Sequence, residues 1–547
     1  MRFVSRSGLL ALALAGNSLA ACAQGNTTTY DYIVVGGGPA GIITAERISE
    51  ANKKVLLIEK GPGPTVSTGS NHTMVWNDTL TPIDVPGLTT AIGGLDLWQE
   101  YTCKDHEATA ACVLGGGVTI NYMVFVHPPE HDFDDKWPAG WKWADIAPAA
   151  QRLYERNPGS NTPSADGERY DPGMYDIFST FLNKLGWKLT DMSEQANDKH
   201  MVYSHPTWNI KNSKRAGPVR TYLPIAQQRN NFSLRLGTTV VRVVREGSRV
   251  TGVEVQGSDG AREIINLSKN GRVVLSAGAL ATPRVLFNSG IGPKEQIEVA
   301  AKTGVTLPPQ KDWIELPVGK NFKDHPIFTL DIQTNGTWGP LDSDIVLDGS
   351  DTKNIDLYES AGSGVLTQGR HRLILFSSVV GSDGVTRYFQ GSAAPSGTGL
   401  ISLKVYLTHG LTSEGVLGLA QGGKTKILQS PYLQTEADVD AATTFIGSFV
   451  ENLQSSELGF TIKNFSNVSA IINNPTSGVH FVGTAKIGTD DGRKGGSSVV
   501  DTNAKVYGVD NLFVSDASIH ADLPSGNSQA IVMVVAEAAA AKILACK

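Results

Sequence analysis

The sequence lacks the marks of several protein classes. Its 547 residues carry a net charge of −6 at pH 7 and contain no basic run, so the charge does not predict a nucleic-acid partner. There are only four cysteines, and no group of histidines and cysteines has the spacing of metal ligands, so we expect no metal. The apolar stretch 528–544 contains Glu537 and many alanines, which favours a buried helix over a membrane span. A chain of this length has enough apolar residues for two or more merged domains.

Residues 30–60 have the pattern of a strand, a glycine-rich turn, a helix and a second strand. The first strand is apolar and β-branched, and Gly36, Gly38 and Gly41 follow it at the spacing G-x-G-x-x-G. The second strand ends at Glu59. This order predicts a βαβ unit that binds a dinucleotide.

Each of these residues has its own expected role. Gly36 permits the tight turn, Gly38 lets a pyrophosphate approach the backbone, and Gly41 lets the helix and strand pack closely. The N-terminus of the helix presents free N–H groups to the phosphates. Glu59 can accept hydrogen bonds from ribose hydroxyls. The alternative is a chance run of glycines, which requires all four features to fall in order by accident.

The first 23 residues have the pattern of a secretion signal. Arg2 and Arg6 precede a short apolar core, and Ala21-Cys22-Ala23 fits a cleavage site, so we expect the mature chain to begin at Gln24. The segment 19–22 also resembles a bacterial lipoprotein box, which stays an alternative. The density of N-x-S/T sequons favours a secreted, extracellular eukaryotic glycoprotein. The sequons are at Asn26, Asn71, Asn77, Asn231, Asn266, Asn335, Asn464 and Asn467.

Two cysteines lie close together in the sequence. Cys103 and Cys112 are nine residues apart and can form a disulfide in an oxidising compartment. Cys22 leaves with the predicted signal. Cys546 remains near the C-terminus, where we expect it to be exposed to solvent.

Strand and helix patterns also follow in the middle of the chain. Residues 231–255 alternate between apolar and polar positions, which predicts an antiparallel set of strands. A buried strand then leads to Thr282-Pro283, where the proline predicts the start of a helix that ends near Ser289. Residues 328–470 have the strand patterns of a second domain, and from His480 the chain is expected to return to the first domain.

Further motifs extend this pattern toward the C-terminus. The cysteine pair precedes a second glycine turn, Gly115-Gly116-Gly117, which leads to Asn121. Six more segments carry motifs: 214–219, 278–292, 317–326, 381–388, 511–516 and 524–527. With these motifs the chain, from Tyr30 to its C-terminus, resembles a glucose–methanol–choline (GMC) oxidoreductase. Within that family it is most similar to the flavin domain of fungal cellobiose dehydrogenases.

The resemblance implies a fold class and a division into domains. The fold is an α/β FAD-binding Rossmann-like domain merged with an α+β substrate domain built on an antiparallel sheet. Residues 24–155, 226–327 and 476–547 are expected to form the FAD-binding domain. Residues 156–225 and 328–475 are expected to form the substrate domain.

The resemblance also implies the catalytic residues. A hydride passes from an alcohol carbon to flavin N5, His480 takes the hydroxyl proton, and Asn527 lies beside it. From the residues alone, His480 has apolar neighbours, so burial would lower its pKa and keep it neutral, as a base has to be. The alternatives are a core histidine that bonds to a carbonyl, and an asparagine that only serves a turn.

The remaining site residues are assigned to the FAD cofactor. The glycines Gly115, Gly116 and Gly117, with Asn121, are expected to approach the isoalloxazine ring. Val241 and Asp516 are expected to contact other parts of FAD. The alternatives are an ordinary tight turn for the glycines and a capping role for Asp516. We expect four other histidines to be structural: His127, His131, His325 and His520.

Three positions depart from the cellobiose dehydrogenase pattern. Gly478 and Val479 stand where those enzymes carry Ser-Asn before the histidine, and Ala394 stands where they carry an arginine before a proline. Two polar contacts to a disaccharide are therefore absent, so cellobiose is not the expected substrate. The catalytic residues themselves are kept.

The resemblance thus predicts a secreted, FAD-dependent oxidoreductase that acts on the CH–OH group of a sugar or other alcohol. Only a few residues precede Tyr30 after signal cleavage, so we expect no attached haem domain and a diffusible electron acceptor: a quinone, a metal complex or oxygen. Two alternatives stay open. One is an oxygen-using oxidase of a small, aromatic or natural-product alcohol, and the other is a non-catalytic secreted flavoprotein or sugar-binding module.

Overall fold

The computed structural model describes residues 28–546. The predicted signal sequence, its cleavage site and the sequon at Asn26 lie outside these residues. The α-helices are α1 (Pro39–Glu50), α2 (Asp96–Tyr101), α3 (Gly117–Ile120), α4 (His131–Asp134), α5 (Trp143–Arg156), α6 (Gly173–Lys184), α7 (Pro218–Thr221), α8 (Leu223–Gln227), α9 (Gly278–Phe287), α10 (Lys294–Ala301), α11 (Ser343–Leu347), α12 (Thr352–Ala361), α13 (Glu436–Gln454), α14 (Val468–Ile472) and α15 (Gln529–Ala545). The strands are β1 (Tyr30–Val35), β2 (Val55–Ile58), β3 (Lys188–Leu189), β4 (Val202–Ser204), β5 (Ile210–Lys211), β6 (Lys214–Arg215), β7 (Phe232–Arg235), β8 (Thr239–Glu246), β9 (Arg249–Gln256), β10 (Arg262–Leu275), β11 (Pro326–Gln333), β12 (Leu373–Val380), β13 (Thr386–Gly397), β14 (Leu400–Leu407), β15 (Val416–Leu419), β16 (Thr425–Gln429), β17 (Thr461–Ile462), β18 (Thr476–Ser477) and β19 (Leu512–Val514).

The first sheet has the strand order β7-β2-β1-β10-β9-β8, with β19 also paired to β10. β1 runs parallel to β2 and to the end of β10, and β2 is buried along its whole length, as a parallel strand covered on both faces requires. β1, α1 and β2 therefore form the predicted βαβ unit. The long β10 serves two partners, because residues 262–266 pair antiparallel with β9 and residues 272–275 pair parallel with β1.

One predicted set of strands is partly wrong. The sequence predicts antiparallel strands throughout 231–255, but β7 runs parallel to β2, with Phe232 opposite Val55. β8 and β9 do pair antiparallel. Alternation of apolar residues identifies a strand but not its neighbour. β7 lies at the edge of the dinucleotide-binding sheet, where it continues the parallel order.

The helix predicted to begin at Thr282-Pro283 begins earlier. α9 starts at Gly278 and contains Pro283 in its interior. Proline has no N–H, so the carbonyl of Ala279, four residues before it, lacks its partner within the helix. The hydroxyl of Thr484 donates to this carbonyl at 2.7 Å and replaces the missing bond. This replacement lets α9 keep its first turn.

The C-terminal helix α15 is packed inside the first domain. It lies against α1 and α5, and Glu537 accepts a hydrogen bond from the Tyr222 hydroxyl at 2.7 Å. Among residues 28–546, no helix combines the length and apolar character that a membrane crossing needs.

Cys546, which the sequence predicts to be exposed, is half-buried against the hydrophobic core of the first domain. Cys103 and Cys112 form the predicted disulfide.

The second sheet has the strand order β17-β11-β14-β13-β12-β4-β3, with β18 also paired to β11. One face packs on α6 and α13 through a cluster of aromatic side chains. The opposite face carries Phe376, Gln390 and Tyr406 in one row, because they are register partners on β12, β13 and β14. The two sheets confirm the predicted fold class. The domain limits at 155, 225, 327 and 475 stay predictions. The strands β11, which begins at Pro326, and β18, which ends at Ser477, lie slightly outside the predicted segment 328–475.

Candidate active site

The turn after β1 needs glycine at the predicted positions. Gly36 has a φ of +104°, and a Cβ there would collide with the carbonyl of Ser276. A Cβ at Gly41 would collide with the carbonyl of Gly36, so α1 can pack on β1 only without a side chain here. A Cβ at Gly38 would meet nothing nearer than 3.9 Å, which leaves the backbone at the start of α1 open to a phosphate.

Glu59 lies at the end of β2 beside this turn. Its Oε2 accepts the N–H of Gly37 at 2.6 Å, and its Oε1 accepts the N–H of Gly61 at 2.8 Å. Burial raises the pKa of this carboxyl, and the two backbone donors oppose the rise. Each carboxylate oxygen has a second lone pair, so Glu59 can also accept the predicted ribose hydroxyls.

The second glycine turn lies against the first. Gly116 has a φ of +57°, and a Cβ there would be 3.0 Å from the Cα of Gly38. A Cβ at Gly115 would collide with the hydroxyl of Thr119, whereas Gly117 has nothing within 4 Å of its Cβ position. The open backbone at Gly38 and Gly117, beside glycines that permit close approach, fits a pyrophosphate-bearing cofactor held between the two turns.

Asn121 follows this turn and is held from two sides. Its Oδ1 accepts hydrogen bonds from the N–H of Met123 at 2.9 Å and from Arg215 at 3.1 Å. Its Nδ2 donates to Gln529 at 3.3 Å, at the start of α15. Asn121 thus ties the second glycine turn to the helix that follows Asn527.

Asp516 and Val241 occupy different places in the first sheet. Asp516 is buried two residues after β19, where its Oδ2 accepts the N–H of Gly278 at 2.9 Å and the Thr282 hydroxyl at 2.6 Å. Burial raises the pKa of Asp516, while these donors oppose the rise. Asp516 therefore fixes the start of α9 near the first turn. Val241 lies at a bulge in β8, the far edge strand, and its carbonyl accepts the Asn288 amide at 2.9 Å.

His480 and Asn527 meet in space, as the resemblance implies. The Nδ2 of Asn527 is 3.3 Å from the Nε2 of His480. The buried Asp324 accepts the main-chain N–H of His480 at 2.7 Å and the hydroxyl of Ser477 at 2.6 Å, which holds the segment after β18. Burial lowers the pKa of His480, and the Asp324 carboxylate opposes this only in part. The imidazole is therefore neutral near neutral pH.

His325, which the sequence suggests to be structural, fixes the tautomer of His480. Its Nε2 lies 3.1 Å from the carbonyl of Pro524, and a carbonyl can only accept, so Nε2 carries the proton of His325. Its Nδ1 is then an acceptor, 3.0 Å from the Nδ1 of His480. His480 therefore donates from Nδ1 and keeps a lone pair on Nε2, the atom that faces Asn527.

Gln390 fixes the orientation of Asn527 by the same logic. Its Oε1 accepts the main-chain N–H of Asn527 at 2.9 Å, so its other end must be the NH₂ group. That NH₂ donates to the Oδ1 of Asn527 at 2.6 Å and to the hydroxyl of Ser392 at 2.9 Å. The amide of Asn527 therefore presents its NH₂ group to His480. Nothing in the sequence marks Gln390, because its partner lies 137 residues away.

An aromatic ring and an apolar residue are neighbours of His480. The ring of Tyr406 lies 5.8 Å from the imidazole at an angle of 29°. Burial raises the pKa of Tyr406 to about 12, so its hydroxyl stays protonated. Val479 is 47% exposed and has a φ of +56°, which is rare for a β-branched residue. This strained residue lies directly before the predicted base.

The comparisons with known proteins identify the family. Residues 30–327 and 412–536 match two family models, both described as GMC oxidoreductase. The chain therefore belongs to the GMC oxidoreductase family, and it is an FAD-dependent oxidoreductase that acts on alcohols or aldehydes. The predicted family, cofactor and enzyme class are confirmed. The closer likeness to cellobiose dehydrogenases stays a prediction.

Two curated relatives and one solved structure illustrate the likeness. Dehydrogenase eriK of Hericium erinaceus is 25% identical, with 94% of each chain covered. The 5-(hydroxymethyl)furfural oxidase of Methylovorus sp. (strain MP688) is 27% identical over 94% of this chain and 99% of its own. A crystal structure of formate oxidase superposes with a TM-score of 0.74 over 95% of this chain and 98% of its own, at 19% identity. The last comparison supports the fold alone.

Proposed function

We propose that this enzyme oxidises the CH–OH group of a sugar or other alcohol and that His480 accepts the hydroxyl proton. One observation carries the proposal: Nε2 of His480 keeps its lone pair, because the N–H of this imidazole is at Nδ1, where it donates a hydrogen bond to His325. The same Nε2 lies 3.3 Å from the amide nitrogen of Asn527. A hydroxyl bound between these two groups donates to His480 and accepts from Asn527.

The reaction removes a proton from the substrate oxygen and a hydride from its carbon, which leaves a carbonyl product. FAD, when bound, supplies the hydride acceptor at N5. His480 takes the proton at Nε2, and its lowered pKa keeps this atom free of a proton beforehand. The amide of Asn527 stabilises the negative charge that develops on the oxygen.

Among alcohols, the walls of the site favour one with a planar ring. Tyr406 places an aromatic ring beside His480, and the apolar Val479 stands at the position where cellobiose dehydrogenases carry an asparagine. Gly478 and Ala394 likewise supply no polar side chain, so cellobiose is a less favoured substrate than a ring-bearing alcohol. The relative named 5-(hydroxymethyl)furfural oxidase has, by that name, a primary alcohol on an aromatic ring as substrate, which supports the same class.

We also propose a diffusible electron acceptor and secretion. The relatives include one named a dehydrogenase and one named an oxidase, so a quinone, a metal complex and oxygen all stay candidates. Peroxide formation in air distinguishes an oxidase from a dehydrogenase. The signal pattern and the sequons support an extracellular glycoprotein, and recovery of a glycosylated chain from culture medium tests this.

Anaerobic mixing of the FAD-loaded protein with alcohols tests the catalytic proposal. Benzyl alcohol, 5-(hydroxymethyl)furfural, glucose and cellobiose form a suitable panel. We expect the visible flavin absorbance to disappear rapidly with the ring-bearing alcohols and slowly, or not at all, with cellobiose. If no alcohol bleaches the flavin, the protein is a non-catalytic flavoprotein or a sugar-binding module, and the proposal is wrong.

A further inference from the structure

Two cationic side chains lie on the wall next to the predicted base. Lys404 is two residues before Tyr406 on β14, so both side chains lie on the face of the second sheet where Tyr406 contacts His480. The Nζ of Lys404 is 5.8 Å from the centre of the Tyr122 ring, and the guanidinium carbon of Arg370 is 5.5 Å from the same centre. Both cations therefore approach one aromatic ring at the side of the active site.

Neither cation is matched by an acidic side chain within the described residues 28–546. No carboxylate there lies within ion-pair distance of Lys404 or Arg370, and the Nε of Arg370 is buried without a hydrogen-bond acceptor. The neighbouring Arg372, by contrast, lies 3.5 Å from the carboxylate of Asp171. The terminal guanidinium nitrogens of Arg370 and the Nζ of Lys404 have no hydrogen-bond partner among the described residues and, unlike Nε, are not buried, so they are available to an anionic group that binds there.

The surroundings of His371 show the same excess of positive charge. Burial, followed by the charges of Arg370, Lys404 and Arg372, lowers the pKa of His371 to about 3. The charged groups that act on this imidazole are all cations. His371 stays neutral and packs edge-on against Tyr122 at 5.6 Å, so the positive charge of this wall comes from the arginines and the lysine.

We propose that Arg370 and Lys404 bind a carboxylate on the far end of the substrate, so that the enzyme acts on an anionic, ring-bearing alcohol. The inference rests on the proposed function, because it uses His480 as the point where the hydroxyl binds. Residues two apart on a strand are separated by roughly 7 Å, so Lys404 lies about one benzene-ring length along β14 from Tyr406, the ring that contacts His480. The guanidinium can hold a carboxylate through two parallel hydrogen bonds, and the ammonium adds a third donor.

A matched pair of alcohols tests the inference. 4-(Hydroxymethyl)benzoate carries the carboxylate, and 4-methylbenzyl alcohol has nearly the same shape without charge. Flavin reduction by each is measured anaerobically with the FAD-loaded enzyme. We expect kcat/KM for the carboxylate to exceed that for the neutral alcohol by about 10–100-fold at low salt, and the preference to shrink as salt is raised.

Substitutions then locate the source of the preference. Arg370→Gln and Lys404→Met should each lower the ratio of the two kcat/KM values by about tenfold or more, and Lys404→Glu should shift the preference toward 4-(aminomethyl)benzyl alcohol. Lys463→Met, which removes an exposed lysine just after β17, is the control and should leave the ratio unchanged. Binding of unreactive 4-methylbenzoate, followed by its effect on the flavin spectrum, gives a readout independent of turnover.

The outcomes separate this inference from the proposed function. If both alcohols bleach the flavin equally well in the wild-type protein, or if the variants keep the wild-type ratio, the carboxylate site is wrong while the alcohol oxidation stands. If neither alcohol nor any other member of the panel bleaches the flavin, but 4-methylbenzoate binds and Arg370→Gln abolishes that binding, the proposed function fails while the anion site stands.

Discussion

The Nδ1 atoms of His325 and His480 lie 3.0 Å apart and are joined by a hydrogen bond that His480 donates. Its direction is fixed from the far side, because the Pro524 carbonyl accepts the other N–H of His325. His480 is therefore held with its basic nitrogen toward Asn527. We interpret His325 as a positioning residue that acts on the substrate only through His480.

Substitutions of His325 test this role. His325→Leu removes the acceptor for His480, so the proton can move to Nε2, and we expect flavin reduction to slow by about 10–100-fold. His325→Asn has nearly the same size but keeps a side-chain oxygen that can accept the bond. Stopped-flow reduction rates should be partly restored in the asparagine variant. Equal rates in the two variants would show that His325 serves packing alone.

Substitution of Gln390 should change the pKa of His480. In the wild-type protein kcat/KM should fall as the pH drops through an apparent pKa below 6.5, because burial lowers the pKa of His480. Gln390→Glu removes the donor to Oδ1 of Asn527, so the amide turns and presents its oxygen to Nε2, which favours the protonated imidazole. The acid limb of the pH profile should therefore move to higher pH.

The control for this experiment is Gln390→Leu, which removes the bond without adding a charge. It should lower the rate without the same upward shift of the pH profile. An acid limb that stays in place in Gln390→Glu would contradict the assigned orientation of Asn527.

The predictions from the sequence agree with the structure where the residues involved are close together along the chain. The βαβ unit is local, so the spacing of Gly36, Gly38 and Gly41 predicts it, and the structure has it. The contact between His325 and His480 joins residues 155 positions apart. No period or spacing in the sequence indicates such a contact, since strand pairing and loop packing create it.

The same reason explains the errors in the fold. The apolar alternation of 232–235 identifies β7 as a strand but cannot say that its neighbour is β2. Pro283 is a good start signal for a helix, yet Thr484, 205 residues from Ala279, donates to the Ala279 carbonyl that the proline leaves without a partner. In both places a distant segment decides the local structure.

Substitution of Gly116 should weaken FAD binding. Gly116→Ala adds a Cβ 3.0 Å from the Cα of Gly38 at a φ of +57°, so one of the two glycine turns has to shift. We expect lower FAD occupancy after purification and a higher Kd on reconstitution of the apoprotein. Gly93→Ala is the control, because a Cβ there has nothing within 4 Å. Equal FAD occupancy in both variants would contradict the inference that the two glycine turns hold FAD.

The stability of the protein should depend on the protonation of His409. Burial opposes its charge, but the Asp135 carboxylate at 2.8 Å and the acids Asp522 and Asp132 outweigh this and raise its pKa to about 9. An unfolded histidine titrates near 6.5, so this contribution is complete below about pH 6.5 and is lost as the pH rises through about 9. The thermal midpoint should therefore fall across this range.

His409→Gln provides the comparison for this pH dependence. The variant cannot carry the charge, so its thermal midpoint should vary less between about pH 6.5 and 9 than that of the wild-type protein. Parallel curves for the two proteins would assign the pH dependence to other groups.

The most direct measurement is anaerobic reduction of bound FAD by a ring-bearing alcohol in the wild-type protein and in His480→Ala. We expect the variant to bind FAD as the wild-type protein does and to be reduced about 10²–10⁴-fold more slowly, because it lacks the proton acceptor. Unchanged reduction in His480→Ala would contradict the account, since the hydroxyl proton would then pass to another group.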